Sequence, residues 1–211
     1  MGTNYDQFQQ DYAAQQNQQA RQKTRKSIWL IGAVLLVLVL LMGGCSTYNK
    51  LVSKQQGVKN EFSNVDVQLQ RRADLIPNLV NTVKGYAKHE EQVFSDIADA
   101  RSRLLNAKTV DEKSDANAQV SSALGRLLVL AENYPNLKAD QQFLKLQDEL
   151  AGTENRIAVA RRDYNAKVLD YNTTRQRFPT VIFAGLLGFG PEQEFKADPG
   201  SREAPKVDFG K

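Results

Sequence analysis

From Ile28 to Gly44 the chain reads IWLIGAVLLVLVLLMGG, seventeen residues without a charge, and the run stops at the single cysteine, Cys45. A helix of that length rises about 1.5 Å per residue and covers roughly 25 Å. The hydrocarbon core of a bilayer is ~30 Å thick. No other stretch is as long and apolar, so the sequence predicts one membrane attachment near its start, with the rest of the chain hung from it.

Residues 1–27 are rich in Gln and poor in aliphatic side chains. Such a segment cannot bury enough surface to offset the entropy of ordering, and a disordered, basic, Gln-rich tail is expected. Arg21, Lys23, Arg25 and Lys26 close it without an intervening acid. Under the positive-inside rule that places the N-terminus in the cytoplasm and the body outside, in a single pass; Lys50, Lys54 and Lys59 on the other flank reduce the bias. Trp29 and Tyr48 fall where amphipathic rings favour the two interfaces. Residues 28–45 have a second reading. Met42-Gly43-Gly44-Cys45 resembles the end of a lipoprotein-type signal, with Cys45 the site of lipidation. Against it stand an imperfect Met three places upstream and a polar lead longer than a usual signal peptide carries. Both readings leave the body beside a membrane.

Residues 46–179 carry helical periodicity throughout. Leu51, Val58 and Val65 form one heptad series and Phe62, Leu69 and Ile76 another, together the 3–4 spacing of a coiled-coil seam. The pattern resumes beyond Pro77 as Leu79, Val83, Tyr86, Val93, Ile97, Ala100 and Leu104. Asp111 is a candidate cap for a third segment, with Val120, Leu124, Leu127, Leu128 and Ala131 on its stripe. A fourth, from about Ala139 to Phe178, aligns Phe143, Leu146, Leu150, Ile157, Ala160, Tyr164, Val168 and Tyr171, and Pro179 ends it. Gly152 in its middle marks a close approach or a kink. No sustained period-two alternation occurs, so the expectation is an all-α chain: an N-terminal membrane helix, then a long antiparallel helical bundle. In residues 180–211 the apolar Val181–Gly190 stretch is too short to span and is expected to cap the bundle in preference to making a second membrane contact, followed by a flexible or loosely docked C-terminal tail.

The net charge of +4 is spread among alternating acids and bases, the pattern of solvated helix faces and not of a nucleic-acid surface. One Cys and one His exclude an internal disulfide and argue against a Cys/His catalytic pair. No phosphate loop, zinc motif or nucleophile elbow occurs, so no cofactor and no small-molecule substrate are indicated. What a plain bundle would not need is concentrated in three clusters. Arg72 takes a seam position due an apolar side chain, with Arg71, Asp74, Pro77 and Asn78 around it. The second cluster is Glu132-Asn133-Tyr134-Pro135. The third joins Glu154-Asn155-Arg156 to Arg161-Arg162-Asp163-Tyr164-Asn165.

Arg71, Arg72, Asp74 and Glu90 suit either an acidic peptide or lipid headgroup, or a partly buried ion-pair network fixing helix register. Buried charges must be paired, which favours the network. His89, beside Glu90 and Glu91, is a candidate metal ligand or pH switch, but sequence neighbours on a helix do not share a face, and a surface histidine is the simpler reading. Tyr134 reads as a packed ring with a bonded hydroxyl at a helix stop. Arg156, Arg161, Tyr164 and Asn165 are placed to meet Asp74 or Glu90 across the bundle.

These clusters carry a resemblance to the LemA family. It rests on Tyr48-Asn49, the Arg-Arg-Ala-Asp-Leu-Ile-Pro-Asn-Leu-Val stretch from Arg71 to Val80, Val83-Lys84-Gly85-Tyr86 and His89-Glu90. It continues through Glu132 to Pro135, Glu154 to Ile157, Arg161 to Asn165 and Phe178-Pro179, covering about residues 46–208. The resemblance implies a bacterial membrane-attached protein with a long antiparallel bundle, and it brings no established enzymatic activity or cofactor. The chain departs from the family in its longer Gln-rich N-terminus and in Phe62, near which many members have a tryptophan. The function expected is a non-enzymatic membrane scaffold or adaptor holding an unidentified protein partner in the bacterial envelope. The alternatives are a lipid- or envelope-binding module using Arg71, Arg72 and residues 181–190, or a hydrolase or metal enzyme using His89 and Glu90.

Overall fold

The computed structural model describes the backbone of residues 3–196 and the side chains of residues 42–196, with those of Trp29, Gly32, Val34, Leu35 and Leu38. Among the described residues six helices follow in order: α1 (Thr3–Lys84), α2 (Glu91–Asn106), α3 (Val110–Ala131), α4 (Pro135–Lys138), α5 (Gln141–Gln176) and α6 (Thr180–Leu186). Among the described residues there is no strand, in line with the all-α expectation. The chain divides into two compact units, Met1–Lys50 and Leu51–Lys211.

In the first unit the backbone is helical from Thr3, where the sequence reading expects disorder. Gln, Ala, Lys and Arg are good helix formers, and no Pro or Gly interrupts residues 3–31. Of the apolar run, Trp29, Val34, Leu35, Leu38 and Met42 are exposed, as is Cys45; several of its other side chains lie outside the described residues. Among the described residues no helix is long and apolar enough to cross a membrane, and the expected membrane helix is not shown.

The second unit is a bundle whose register can be read from cross-helix pairs. Lys54–Asp170, Arg72–Glu154 and Tyr86–Asp140 pair the body of α1 with α5 in opposite directions. Asp96–Arg126 and Arg103–Gln119 do the same for α2 and α3. Asp66–Lys113 and Arg72–Asn117 align α3 parallel to α1. The core follows the predicted seam: Leu51, Val58, Val65, Leu69, Ile76, Leu79 and Val83 are buried. From α5 come Phe143, Leu146, Ile157, Ala160, Tyr164, Val168 and Tyr171.

Several local expectations are corrected. α1 does not stop at Pro77 but runs through it to Lys84. A proline in a helix lacks the N–H that would bond the carbonyl four residues back, here Ala73, and Arg101 Nε of α2 donates to that oxygen at 2.8 Å. The helix instead ends at Gly85, and Tyr86 leaves the seam. It is 42% exposed, with its hydroxyl donating to Asp140 at 2.9 Å. That bond raises the Tyr86 pKa. Asp140 is lowered first by the Phe143 N–H it caps at the start of α5 and then by Tyr86. Thr109, not Asp111, caps α3: its hydroxyl accepts from Glu112 N while Glu112 accepts from Thr109 N, a reciprocal capping box. Leu128 is 40% exposed instead of on the stripe, and Phe94 is buried beside Val93. α5 passes through Gly152, whose nearest neighbour is Arg156 of the same helix at 3.9 Å from an added Cβ, so the residue marks no approach between helices.

Candidate functional site

Two constructions use the polar residues singled out in the sequence. The first is centred on Arg72, the charged residue on the seam. It is 5% exposed and joins three helices. Its Nη1 donates to Asn117 Oδ1 at 2.6 Å and pairs with Glu154 Oε2 at 2.5 Å, while Nη2 donates to Ser121 Oγ at 3.0 Å. Arg72 therefore sits in a network, as expected, but with partners from α3 and α5 and not with Asp74 or Glu90. Its heptad position points it inward, whereas Arg71 and Asp74 are exposed on the opposite side, Asp74 accepting only a local bond from Gln70. Asn78 is exposed and its carbonyl accepts from Thr82. Arg156 is exposed as well.

Beside Arg72 a groove of about 570 Å³ lies between α3 and α5, floored by α1. Leu124, Gly125 and Leu128 form one wall and Gln147, Leu150 and Ala151 the other. A Cβ built on Gly125 would meet nothing within 4 Å, so the groove is open there. The surface is mainly apolar, with the Arg72–Glu154 pair, Ser121, Gln147 and Asp148 as its polar groups.

The second construction begins where α6 ends. Gly188 has φ +77°, the left-handed region open to glycine. Phe189 N then bonds back to Ala184 O at 3.0 Å, closing the helix in a Schellman turn. The chain returns along α5 as a non-helical strap, Phe189–Lys196, running against the helix direction. Asn172 Nδ2 and Oδ1 hold the carbonyl and N–H of Glu192 at 2.8 and 3.1 Å. Asn165 grips Phe195 in the same way at 3.0 and 2.9 Å. The Tyr171 hydroxyl donates to Gly190 O and that of Tyr164 to Gln193 O, each at 2.8 Å. Arg175 takes Phe189 O at 2.7 Å and Arg161 takes Lys196 O at 2.6 Å.

The match is one of periods. Asp163-Tyr164-Asn165 and Asp170-Tyr171-Asn172 repeat at seven residues, about 10.5 Å along a helix. Three residues of extended chain advance about 10 Å, and Glu192 and Phe195, like Gly190 and Gln193, are three apart. Phe195 closes the strap, buried against Tyr164 with centroids 5.2 Å apart and against Phe62 at 6.5 Å. Burial, followed by the charges of Glu192 and Glu194, pushes the Tyr164 hydroxyl up to about 12. Burial, followed by the charge of Glu192 and opposed by Arg175, raises Tyr171 as well.

Thus Arg161, Tyr164 and Asn165 do come together, but on the strap and not on Asp74 or Glu90. The region from Pro191 to Lys196, expected to be a flexible or loosely docked tail, is docked on α5 by side chains; residues 197–211 of that expected tail lie outside the described residues. At the other end of the bundle Tyr134 donates to Glu90 at 3.4 Å, as its bonded-hydroxyl reading required, and His89 is exposed in the α1–α2 connection. Among the described residues no cluster of His, Cys, Asp or Glu is placed to hold a metal. Sequence reasoning missed Asn117, Ser121 and the second Tyr-Asn pair; the seven-residue repeat was the signal available for the last.

The family model described as "LemA family" matches residues 61–209. Magnetosome protein MamQ 2 of Paramagnetospirillum magneticum is 27% identical over 198 residues, covering 82% of this chain and 71% of that protein. Magnetosome protein MamQ of Magnetospirillum gryphiswaldense is 26% identical, over 82% and 72%. Protein LemA of Metamycoplasma hominis is 29% identical over 141 residues, 66% of this chain and 64% of that protein.

Proposed function

The chain belongs to the LemA family, and from that premise we propose that it is a membrane-held, non-enzymatic scaffold of the bacterial envelope whose body docks a protein partner. Residues 28–45 supply the attachment, as a single membrane pass with the N-terminus cytoplasmic or through a lipidated Cys45. The observation that carries the reading is the destination of the motif side chains. Arg72, Arg161, Tyr164, Asn165, Tyr171 and Asn172 direct their polar atoms at the chain itself. A general acid or nucleophile needs an environment that tunes it toward neutrality; Tyr164 is instead driven away from it, to about 12. These groups brace the body, and the open α3–α5 groove is a concave, largely apolar surface that a partner could use.

The test is site-specific photo-crosslinking in intact cells making the full chain. A photoreactive residue at Leu128, in the groove, is expected to give one discrete protein adduct, absent when Gly125→Trp fills the groove. A photoreactive residue at Leu169, exposed on α5, serves as the comparison. Equal adducts at both positions, or none at either, refute the docking role.

A further inference from the structure

The short helix α6 is seated by one face and bare on the other. Ala184 is 1% exposed, while Leu186 is 82%, Ile182 58% and Val181 45% exposed, with Phe178 at 81% just before the helix. Contiguous apolar surface of this kind marks a place where something other than water belongs. Position, tether and charge identify the occupant.

The Lys54–Asp170 pair and the bond from Gln55 to Glu192 put the end of α5, and α6 after it, at the end of the bundle where Leu51 begins. Residues 46–50 can carry Leu51 no further than about 22 Å from Cys45 in any conformation. Arg177 is exposed at this end. Neither Cys45–Asn60 nor Thr173–Pro191 contains an acid. The nearest acids, Asp170 and Glu192, are engaged by Lys54 and Gln55, and an apolar patch beside the exposed Arg177 suits an anionic bilayer interface, where juxtamembrane Lys and Arg are attracted to the lipid charge.

We propose that Phe178 and α6 insert into the headgroup region of an anionic bilayer, giving the body its own membrane contact in addition to residues 28–45. The inference rests on the reading of residues 28–45 as a membrane attachment. It adds a lipid-binding surface that the attachment alone does not require.

The test uses the full chain in phosphatidylglycerol–phosphatidylcholine vesicles whose acyl chains carry bromine, a short-range quencher of tryptophan, at shallow or deep positions. In a Trp29→Phe background, Leu186→Trp and, as a second site, Ile182→Trp are expected to be quenched by shallow bromine at least twofold more than Val67→Trp, which lies exposed on the flank of α1. Replacing phosphatidylglycerol by phosphatidylcholine is expected to reduce that quenching. Trp29 in the unaltered chain reports the attachment separately. If Trp29 is quenched while the tryptophans at 182 and 186 behave like that at 67, the α6 contact is overturned and the attachment stands. If Trp29 escapes bromine at both depths, the attachment reading fails first.

Discussion

Replacing Arg101 by leucine isolates one device on which the first helix of the body depends. Pro77 deprives the Ala73 carbonyl of its helical donor, and Arg101 Nε supplies one across the α1–α2 contact at 2.8 Å. Ala73 is fully buried, so water is poorly placed to take over. Leaving such a group without its partner costs about 1–3 kcal/mol, and a charged donor lies toward the upper part of that range. Arg101→Leu is therefore expected to destabilise the body by about 2 kcal/mol. Pro77→Ala returns an N–H to the same carbonyl. In that background the loss of Arg101 should cost no more than about 0.5 kcal/mol, a coupling of about 1.5 kcal/mol between residues on different helices. The assay is a double-mutant cycle from urea unfolding of the full chain in detergent, followed by helical circular dichroism. Additive effects within about 0.3 kcal/mol would refute the carbonyl-rescue argument and reduce Arg101 to a surface side chain.

Asn165→Ala removes both bonds to Phe195 and should lower the opening free energy of the strap by about 2 kcal/mol. Amide exchange at Phe195 would then accelerate about 30-fold, with the α2–α3 pair unaffected; unchanged protection at Phe195 would contradict the ladder. Tyr164 has its ionisation raised to about 12, principally by burial. Its raised value favours the neutral phenol in the folded state, so its stabilising effect is complete below the unfolded value near 10 and disappears as pH climbs through about 12. Ultraviolet titration should show a phenolate appearing at about 12 that is absent from Tyr164→Phe and accompanies loss of Phe195 protection. Glu112 is held below the usual carboxylate range by the N–H groups of Lys108 and Thr109. Its contribution is present above pH about 4.5 and is lost as pH falls through the lowered folded value. Glu112→Gln can keep the capping geometry but should flatten that part of the acid stability profile, and a profile identical to the unaltered chain would count against the cap.

The seam was legible because burial on a helix repeats in the sequence. Leu51, Val58, Val65, Leu69 and Ile76 follow from spacing alone, and so does the inward direction of Arg72. Its partners were not legible, because Asn117, Ser121 and Glu154 lie 45 or more positions away and register between helices is set by packing. Pro77 misled for a related reason: local rules forbid the proline, and a side chain from another helix repairs the damage. The strap escaped because glycine, proline and mixed charge resemble a loose tail in one dimension. The information that fixes it lies in α5, where Tyr-Asn recurs at seven residues and the strap answers at three. Arg161, Tyr164 and Asn165 thus stood out as a cluster, while their partner was hidden in a segment with no periodicity of its own.

Protease shaving of sealed vesicles containing the full chain, with carbonate washing and mass measurement of what stays in the bilayer, tests the membrane-held scaffold most directly. The account predicts a retained fragment covering Ile28–Gly44 and ending at or just beyond Cys45, or a fragment that begins at a lipid-modified Cys45. Release of every fragment by carbonate, with Ile28–Gly44 cleaved as freely as the surface loops, would contradict it.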